Sequence, residues 1–330
     1  MSEKNIFDAQ KPKTDKPWDV AIIGSGPAAM TASIYTARGA VSTIVFAGEA
    51  WGGQLMLTTT VDNFPGFPEG VQGPDLMRLI RKQTERFGTE FIEKNVSDVD
   101  FVSNPKKITA EGKNYLTKTV IIATGADTKW LGVPGEDKLR GRGVSSCAPC
   151  DAPFFKNKVV AVVGGGDAAM EEALVLTRYA KEVTIIHRSA EFNASAAMQK
   201  KVLDKKVEGK IKILWNTEIV EFIGDQKLER VKLKNSETGK LTELPLDGVF
   251  VAIGHIPATG VFKDRVDLDE KGYVKMSPRL GFTSTTNIDG IFVAGDVHDY
   301  RYRQAITAAG FGCMAGMDAL KYLDKSSPSW

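Results

Sequence analysis

The segment Cys147-Ala148-Pro149-Cys150-Asp151 carries the most reactive chemistry in this chain. Two thiols separated by two residues can close a small, reducible disulfide. The thiolate is the reactive form, and its pKa follows the local charge. One cysteine can attack a partner's disulfide while the other resolves the mixed disulfide. Asp151 follows the second thiol directly and is the candidate acid–base group. Burial would raise its pKa and let it protonate a leaving thiolate. A zinc site competes with this reading, but zinc wants four ligands. The remaining candidates are Cys313 and three scattered histidines, with no second Cys-x-x-Cys, so no metal is expected. Two inert structural thiols are the other alternative. Cys313, beside Gly310, Gly312 and Gly316, reads as a small core residue.

Two glycine turns flank the cysteines. The first is Gly24-Ser25-Gly26-Pro27-Ala28-Ala29 and the second is Gly164-Gly165-Gly166-Asp167-Ala168-Ala169. In such a turn the first glycine permits the tight bend, the second lets backbone approach a pyrophosphate, and a small third residue packs helix on strand. The following helix offers free N–H groups and its positive dipole end. Glu49, roughly 20 residues past Ala29, stands where an acid commonly binds a ribose hydroxyl. Two nucleotide sites with a dithiol between them suggest an electron relay from nicotinamide to flavin to disulfide.

Each turn needs a strand before it and a helix after it. Trp18 to Ile23 is a short apolar strand, Ala28 to Arg38 a helix rich in small residues, and Ser42 to Ala47 the next strand. A helical crossover implies parallel strands. Gly52-Gly53-Gln54-Leu55 and Asn63-Phe64-Pro65-Gly66-Phe67-Pro68 are turn-rich, Asp75 to Phe87 looks helical, and the strand Thr119 to Ala123 ends at Thr124-Gly125. The pattern then restarts with strand Lys158 to Val163, helix Asp167 to Tyr179 and strand Glu182 to Ile186. Gly164 stands 140 residues after Gly24, a domain-sized duplication rather than a short repeat. Strands at Val249 to Ile253 and Gly290 to Ala294 and a long helix from Gln304 to Leu323 complete the pattern.

Composition sets the outer limits. The chain has 330 residues, enough for two domains. Hydrophobic residues make up 42% and charged residues 25%, a globular balance. A net charge of +2 gives no reason to expect nucleic acid or an anionic membrane surface. The longest apolar runs, such as Val159 to Val163, fall far short of the ~20 residues of a membrane span. Met1 to Lys16 is polar, lacks the apolar core of a secretory signal, and reads as a loose tail. Three cysteines do not make a secreted disulfide framework, so a cytoplasmic location is expected.

Together these motifs resemble the low-molecular-weight thioredoxin reductases, two-domain flavoproteins among the pyridine nucleotide-disulfide oxidoreductases. The likeness runs from about Trp18 to Leu323. It implies an α/β fold of two Rossmann-like, three-layer ββα dinucleotide-binding domains, the second inserted into the first. The expected boundaries are a flexible tail at 1–17, an FAD domain at 18–127 and 256–330, and an NAD(P) domain at 128–255 that carries the dithiol. It implies FAD on Gly24, Ser25, Gly26, Pro27, Ala28, Gly48, Glu49, Gly52, Gly53, Gln54, Leu55, Asn63, Thr124, Gly125, Gly295, Asp296, Arg303, Gln304 and Ala305. It implies NADPH or NADH on Gly164, Gly166, Asp167, Ala168, His187, Arg188, Ile253 and Gly254. The catalytic set is Cys147, Cys150 and Asp151, with Cys147 expected to attack the protein substrate and Cys150 to face the flavin. Thioredoxin or a similar protein is the implied partner, and a homodimer the implied assembly. Such enzymes rotate the small domain so that nicotinamide and dithiol take turns at one flavin. A flavin-dependent dithiol oxidase passing electrons to oxygen, and a redox-sensing scaffold without turnover, remain as alternatives.

The chain departs from that pattern at one place. NADPH-using members end the strand after the second glycine turn in His-Arg-Arg, with another Arg four residues later, to grip the 2′-phosphate. Here the run is His187-Arg188-Ser189-Ala190-Glu191-Phe192-Asn193. Ser189 and Asn193 replace two arginines, and Glu191 adds negative charge. A hydrogen bond to a charged group is worth roughly 1.5–3 kcal/mol. Two lost contacts amount to about 3–6 kcal/mol, on the order of 10²–10⁴ in affinity. Two outcomes are expected to compete: a weakened preference for NADPH, with NADH used comparably or another reductant as donor, or a retained NADPH preference resting on Arg188 and His187.

Overall fold

A computed structural model describes Pro12 and residues 16–58, 60–279 and 281–324. Most of the N-terminal segment read as a loose tail lies outside them. By contacts the chain divides into two units. One holds the described residues up to Asp127 and from Ile256 onward, and the other is Thr128–His255.

The first unit is built on a seven-stranded sheet. Strand Trp18–Ile23 lies between Thr43–Phe46 and Lys113–Ile122, parallel to both. Glu90–Ile92 and Ile291–Val293 extend the parallel part. The sheet is buried on both faces, as parallel sheets are. Val20, Ile22, Val45 and Ile121 meet the small faces of helices Pro27–Arg38 and Ala305–Leu323. Ala21, Ile23, Phe46 and Ile122 meet Val99, Phe101 and Ile108 on the opposite side. Glycine lets the two helices touch. A Cβ on Gly312 would lie 2.1 Å from the Ala28 carbonyl oxygen.

The strand expected at Thr119 to Ala123 is the end of a longer one, Lys113–Ile122. Its first half pairs antiparallel with Lys106–Ala110, which pairs in turn with Val96–Asp100. Polar residues facing out hide these strands from an apolar-run reading.

The second unit repeats the plan. Five parallel strands run in the order Val144–Ser145, Gly248–Val251, Val159–Val163, Glu182–Ile186 and Ile211–Leu214. Val160 and Val162 face helix Asp167–Leu176 through Ala169, Met170 and Ala173. Ala161 and Val163 face a three-stranded antiparallel sheet through Ile219, Val231 and Leu233. That sheet is Thr217–Ile223, Arg230–Asn235 and Leu241–Pro245. Each unit is thus a ββα sandwich with the glycine turn at the carboxyl end of a central strand, where nucleotides bind in open α/β sheets.

Candidate active site

In the first unit, Trp18–Ile23 ends at Gly24, whose φ is +125°. A Cβ there would also lie 2.1 Å from the Ala123 carbonyl oxygen, so only glycine fits. Gly26 has ordinary φ of −74°, and a Cβ on it would meet no protein atom within 4 Å. Helix Pro27–Arg38 begins beside that open space with no side-chain cap. Pro27 occupies the first helical position, where a missing N–H costs nothing. First-turn amides without a cap fit an anionic group.

Ser25 works inside the protein. Its Oγ donates to the Ala47 carbonyl at 2.7 Å and accepts from the Gly52 amide at 2.9 Å. That stitch brings the Gly52-Gly53 turn over Gly26. A Cβ on Gly53 would lie 3.2 Å from the Gly26 Cα. Leu55 follows in the short helix Gly53–Leu57. Gln54 donates to Asp127 at 2.9 Å. Glu49, after Gly48, is exposed, and its amide meets Asn95 Oδ1 at 3.3 Å. Thr124 Oγ1 donates to the Ala258 carbonyl at 2.8 Å, and Gly125 takes φ of +74°.

Two distant segments complete this site. Gly295 sits on the first turn of helix Pro27–Arg38, where its Cβ would approach Ala28 Cβ to 2.8 Å. Asp296 Oδ1 and His298 Nε2 are buried with no hydrogen-bond partner among the described residues. Burial, reinforced by the Asp299 charge, pushes Asp296 up to about 7. Burial lowers His298 to about 4, although Asp299 opposes it. Asp299 accepts from the amides of Arg301, Tyr302 and Arg303 at 2.9–3.1 Å, which fixes the approach to Gln304. Gln304 and Thr307 cap helix Ala305–Leu323 reciprocally. Gln304 Oε1 also accepts from Asn63 Nδ2 at 3.2 Å, joining residues 241 apart in sequence. An uncapped helix start, an open glycine and an orphaned buried carboxyl together fit a bound dinucleotide.

The second unit carries the matching turn. Gly164 has φ of +148°, and a Cβ there would lie 2.5 Å from the Ala252 carbonyl oxygen. Gly166 would meet only Asn193 Oδ1, at 3.7 Å. Helix Asp167–Leu176 starts without a side-chain cap. Asp167, ahead of Ala168, accepts from the Ser195 amide at 2.7 Å and its hydroxyl at 2.8 Å, closing the loop that carries Ser189 and Asn193. His187 is buried. Its ring sits 2.1 Å from where a Gly165 Cβ would be, and its Nε2 meets the Glu191 carbonyl at 2.8 Å. Phe192 and Trp215 enclose it. Arg188, Ser189 and Asn193 are exposed along the same edge. Ile253 is half-buried, and Gly254, at φ +109°, opens onto free space.

Cys147 and Cys150 form a disulfide, S–S 2.08 Å and Cα–Cα 5.3 Å. Cys147 caps the turn Ala148–Asp151, its carbonyl accepting from the Cys150 and Asp151 amides at 3.2 and 3.1 Å. Burial raises the Asp151 pKa, opposed by a hydrogen bond from Ser145. Ser145 donates to Asp151 Oδ2 at 2.6 Å and accepts from the Cys147 amide at 3.1 Å. Sequence reasoning passed over Ser145. A serine two places before a cysteine carries no signal of its own. His298 was likewise missed, because nothing in the sequence marks it as buried.

A family model, pyridine nucleotide-disulphide oxidoreductase, matches residues 18–312. The chain belongs to this family. It is 49% identical over 318 residues to a thioredoxin reductase of Streptomyces coelicolor, covering 94% of this chain and 97% of that protein. It is 46% identical to a bifunctional thioredoxin reductase/thioredoxin of Mycobacterium leprae, covering 94% of this chain and 67% of that protein. A solved thioredoxin reductase from Giardia duodenalis superposes with a TM-score of 0.87 at 40% identity, covering 94% of this chain and 99% of that one. Among the described residues, no helix is long and apolar enough to cross a membrane.

Proposed function

We propose that this protein is a flavoprotein thioredoxin-disulfide reductase. FAD, when bound, would carry electrons from a reduced nicotinamide to the Cys147–Cys150 disulfide, whose reduced form would pass them to thioredoxin. The observation that carries the reading is a formed, half-buried Cys147–Cys150 disulfide with an adjacent carboxyl of raised pKa, in a chain whose two units each present an uncapped helix behind a glycine turn. The Mycobacterium leprae relative, by its name a reductase joined to thioredoxin, supports the choice of partner.

FAD would be held by Gly24, Gly26 and the start of helix Pro27–Arg38, by Asp296, and by Asn63 and Gln304 acting together. When bound, it supplies a two-electron carrier between a hydride donor and a disulfide. The nicotinamide coenzyme would rest on Gly164, Gly166 and the start of helix Asp167–Leu176, with Arg188 at its outer edge. The protein's own steps are thiol–disulfide exchange. The Cys147 thiolate attacks one sulfur of the substrate disulfide, forming a mixed disulfide and releasing a thiolate. Asp151 gives that thiolate its proton. The Asp151 carboxylate then takes the proton of the Cys150 thiol, and the Cys150 thiolate attacks Cys147 Sγ, restoring the intramolecular disulfide and releasing the second substrate thiolate, which Asp151 protonates. Two electrons move from dithiol to substrate, and the substrate gains two protons.

With Ser189 and Asn193 at the phosphate edge, NADH serves about as well as NADPH. The exposed residues Ile306, Gly310, Met314 and Met317 share one face of helix Ala305–Leu323 and support a homodimer. A reducible dithiol that must cycle suits the cytoplasm.

Steady-state reduction of thioredoxin tests the core of this reading. Cys147→Ser and Cys150→Ser each abolish turnover, while bleaching of the flavin by reduced nicotinamide persists. Retained turnover in either variant would overturn it.

A further inference from the structure

Ser145 ends the strand Val144–Ser145, where it registers opposite Phe250 on the neighbouring strand. Its side chain is buried. The hydroxyl spends its proton on Asp151 Oδ2 and one lone pair on the Cys147 amide. One atom thereby ties the backbone of the first cysteine to the carboxyl that follows the second. The turn Ala148–Asp151 fixes the Asp151 backbone through the Cys147 carbonyl. It does not fix the carboxyl, whose direction is set by two further side-chain torsions. Among the described residues, Ser145 is the only hydrogen-bond partner of that carboxyl.

The geometry points to Ser145 as a positioning residue for thiol–disulfide exchange: its hydroxyl holds the Asp151 carboxyl at the Cys147 end of the dithiol. This rests on the reading of Asp151 as the acid. Placement matters because a general acid must lie within hydrogen-bond reach of the atom it protonates.

The bond also has a pH consequence. Burial raises the Asp151 pKa and Ser145 opposes that rise, so removing the hydroxyl lets the carboxyl hold its proton to higher pH. The elements packed on this turn carry further ionisable groups. They are Asp167, Glu171 and Glu172 on helix Asp167–Leu176, and Lys156 beyond the turn Ala152–Phe155. Strand Gly248–Val251 contributes none. These groups stay the same in variants that differ only at position 145.

The test measures kcat/KM for thioredoxin against pH in the flavin-loaded enzyme. It compares wild type, Ser145→Ala, Ser145→Thr, Ser145→Val and Asp151→Asn. Thr and Val share a shape and differ in the hydroxyl, so they keep the comparison available if Ala perturbs folding. The Ala and Val variants lose about 10- to 100-fold in kcat/KM, the weight of one hydrogen bond to a charged group. Their alkaline limb, the one that Asp151→Asn removes, moves to higher pH. Thr restores both rate and limb. Bleaching of the flavin by reduced nicotinamide is equal in all five. If Asp151→Asn removes the limb but Val leaves it where wild type has it, Ser145 does not position the acid. If Asp151→Asn leaves the profile unchanged, Asp151 is not the acid, and both readings fall.

Discussion

Asp296 and His298 are two residues apart, both buried, and displaced in opposite directions. Asp296 goes from an ordinary 3.8 up to about 7, so folding with it protonated is favourable below pH 4 and that contribution is lost as pH climbs to 7. His298 goes from 6.5 down to about 4, so its contribution is present above pH 6.5 and lost as pH falls toward 4. At full effect Asp296 is worth about 4 kcal/mol and His298 about 3 kcal/mol. The two oppose each other over the same window and nearly cancel. In the flavin-free protein, Asp296→Asn leaves the histidine alone, and stability rises between pH 4.5 and 6.5. His298→Gln leaves the aspartate, and stability falls over the same range. Urea unfolding at the two pH values reads both slopes, and identical slopes in the two variants would contradict the opposition. Asp151 lies on a separate path. Asp151→Asn slows thioredoxin reduction tenfold or more in stopped-flow mixing and leaves flavin bleaching alone.

Glycine does two different jobs in the strand–turn–helix element. Gly24 is required by the protein itself, through φ of +125° and the Ala123 carbonyl. Gly26 is not, since its Cβ direction is open. Gly24→Ala therefore lowers the melting temperature of the flavin-free protein. Gly26→Ala leaves it within about 1 °C and instead reduces bound flavin, read as the absorbance ratio of flavin to protein. Equal effects from the two substitutions would mean that the space beside Gly26 holds nothing. The strand–glycine–helix units were legible in sequence because buried parallel strands are continuous apolar runs punctuated by glycine. The antiparallel strands were not. On Thr217–Ile223 and its neighbours, outward residues form cross-strand pairs such as Arg230–Glu243 at 2.9 Å and Lys232–Glu221 at 3.8 Å. Those charges break the apolar pattern. Candidate site residues could be named from the sequence, but the joins between them could not. Asn63 meets Gln304, and Ser145 meets Asp151, only after the sheets have formed.

The described residues build one sandwich twice, and the chain passes between the two units at Asp127–Thr128 and His255–Ile256. Inserting one unit into the other keeps Cys147, Cys150 and the Gly164–Gly166 turn on a single body. The open phosphate edge makes the ratio of kcat/KM for NADPH over NADH fall within about tenfold of unity. Restoring Ser189→Arg and Asn193→Arg raises that ratio by on the order of 10²–10⁴. A wild-type ratio already that large would show that Arg188 alone suffices. On the proposed homodimer, light scattering gives a dimer mass for the wild type and a monomer mass for Met314→Glu on the exposed face of the last helix, and a monomer mass for the wild type would contradict the proposed assembly. The relay itself is tested most directly by anaerobic thiol trapping. One equivalent of reduced nicotinamide is added to the flavin-loaded protein, and the mixture is quenched with an alkylating agent and mapped by mass spectrometry. Electron flow through the dithiol gives equal alkylation of Cys147 and Cys150, and both labels vanish when oxidised thioredoxin is added before the quench. Flavin that bleaches while both cysteines stay unlabelled would contradict it.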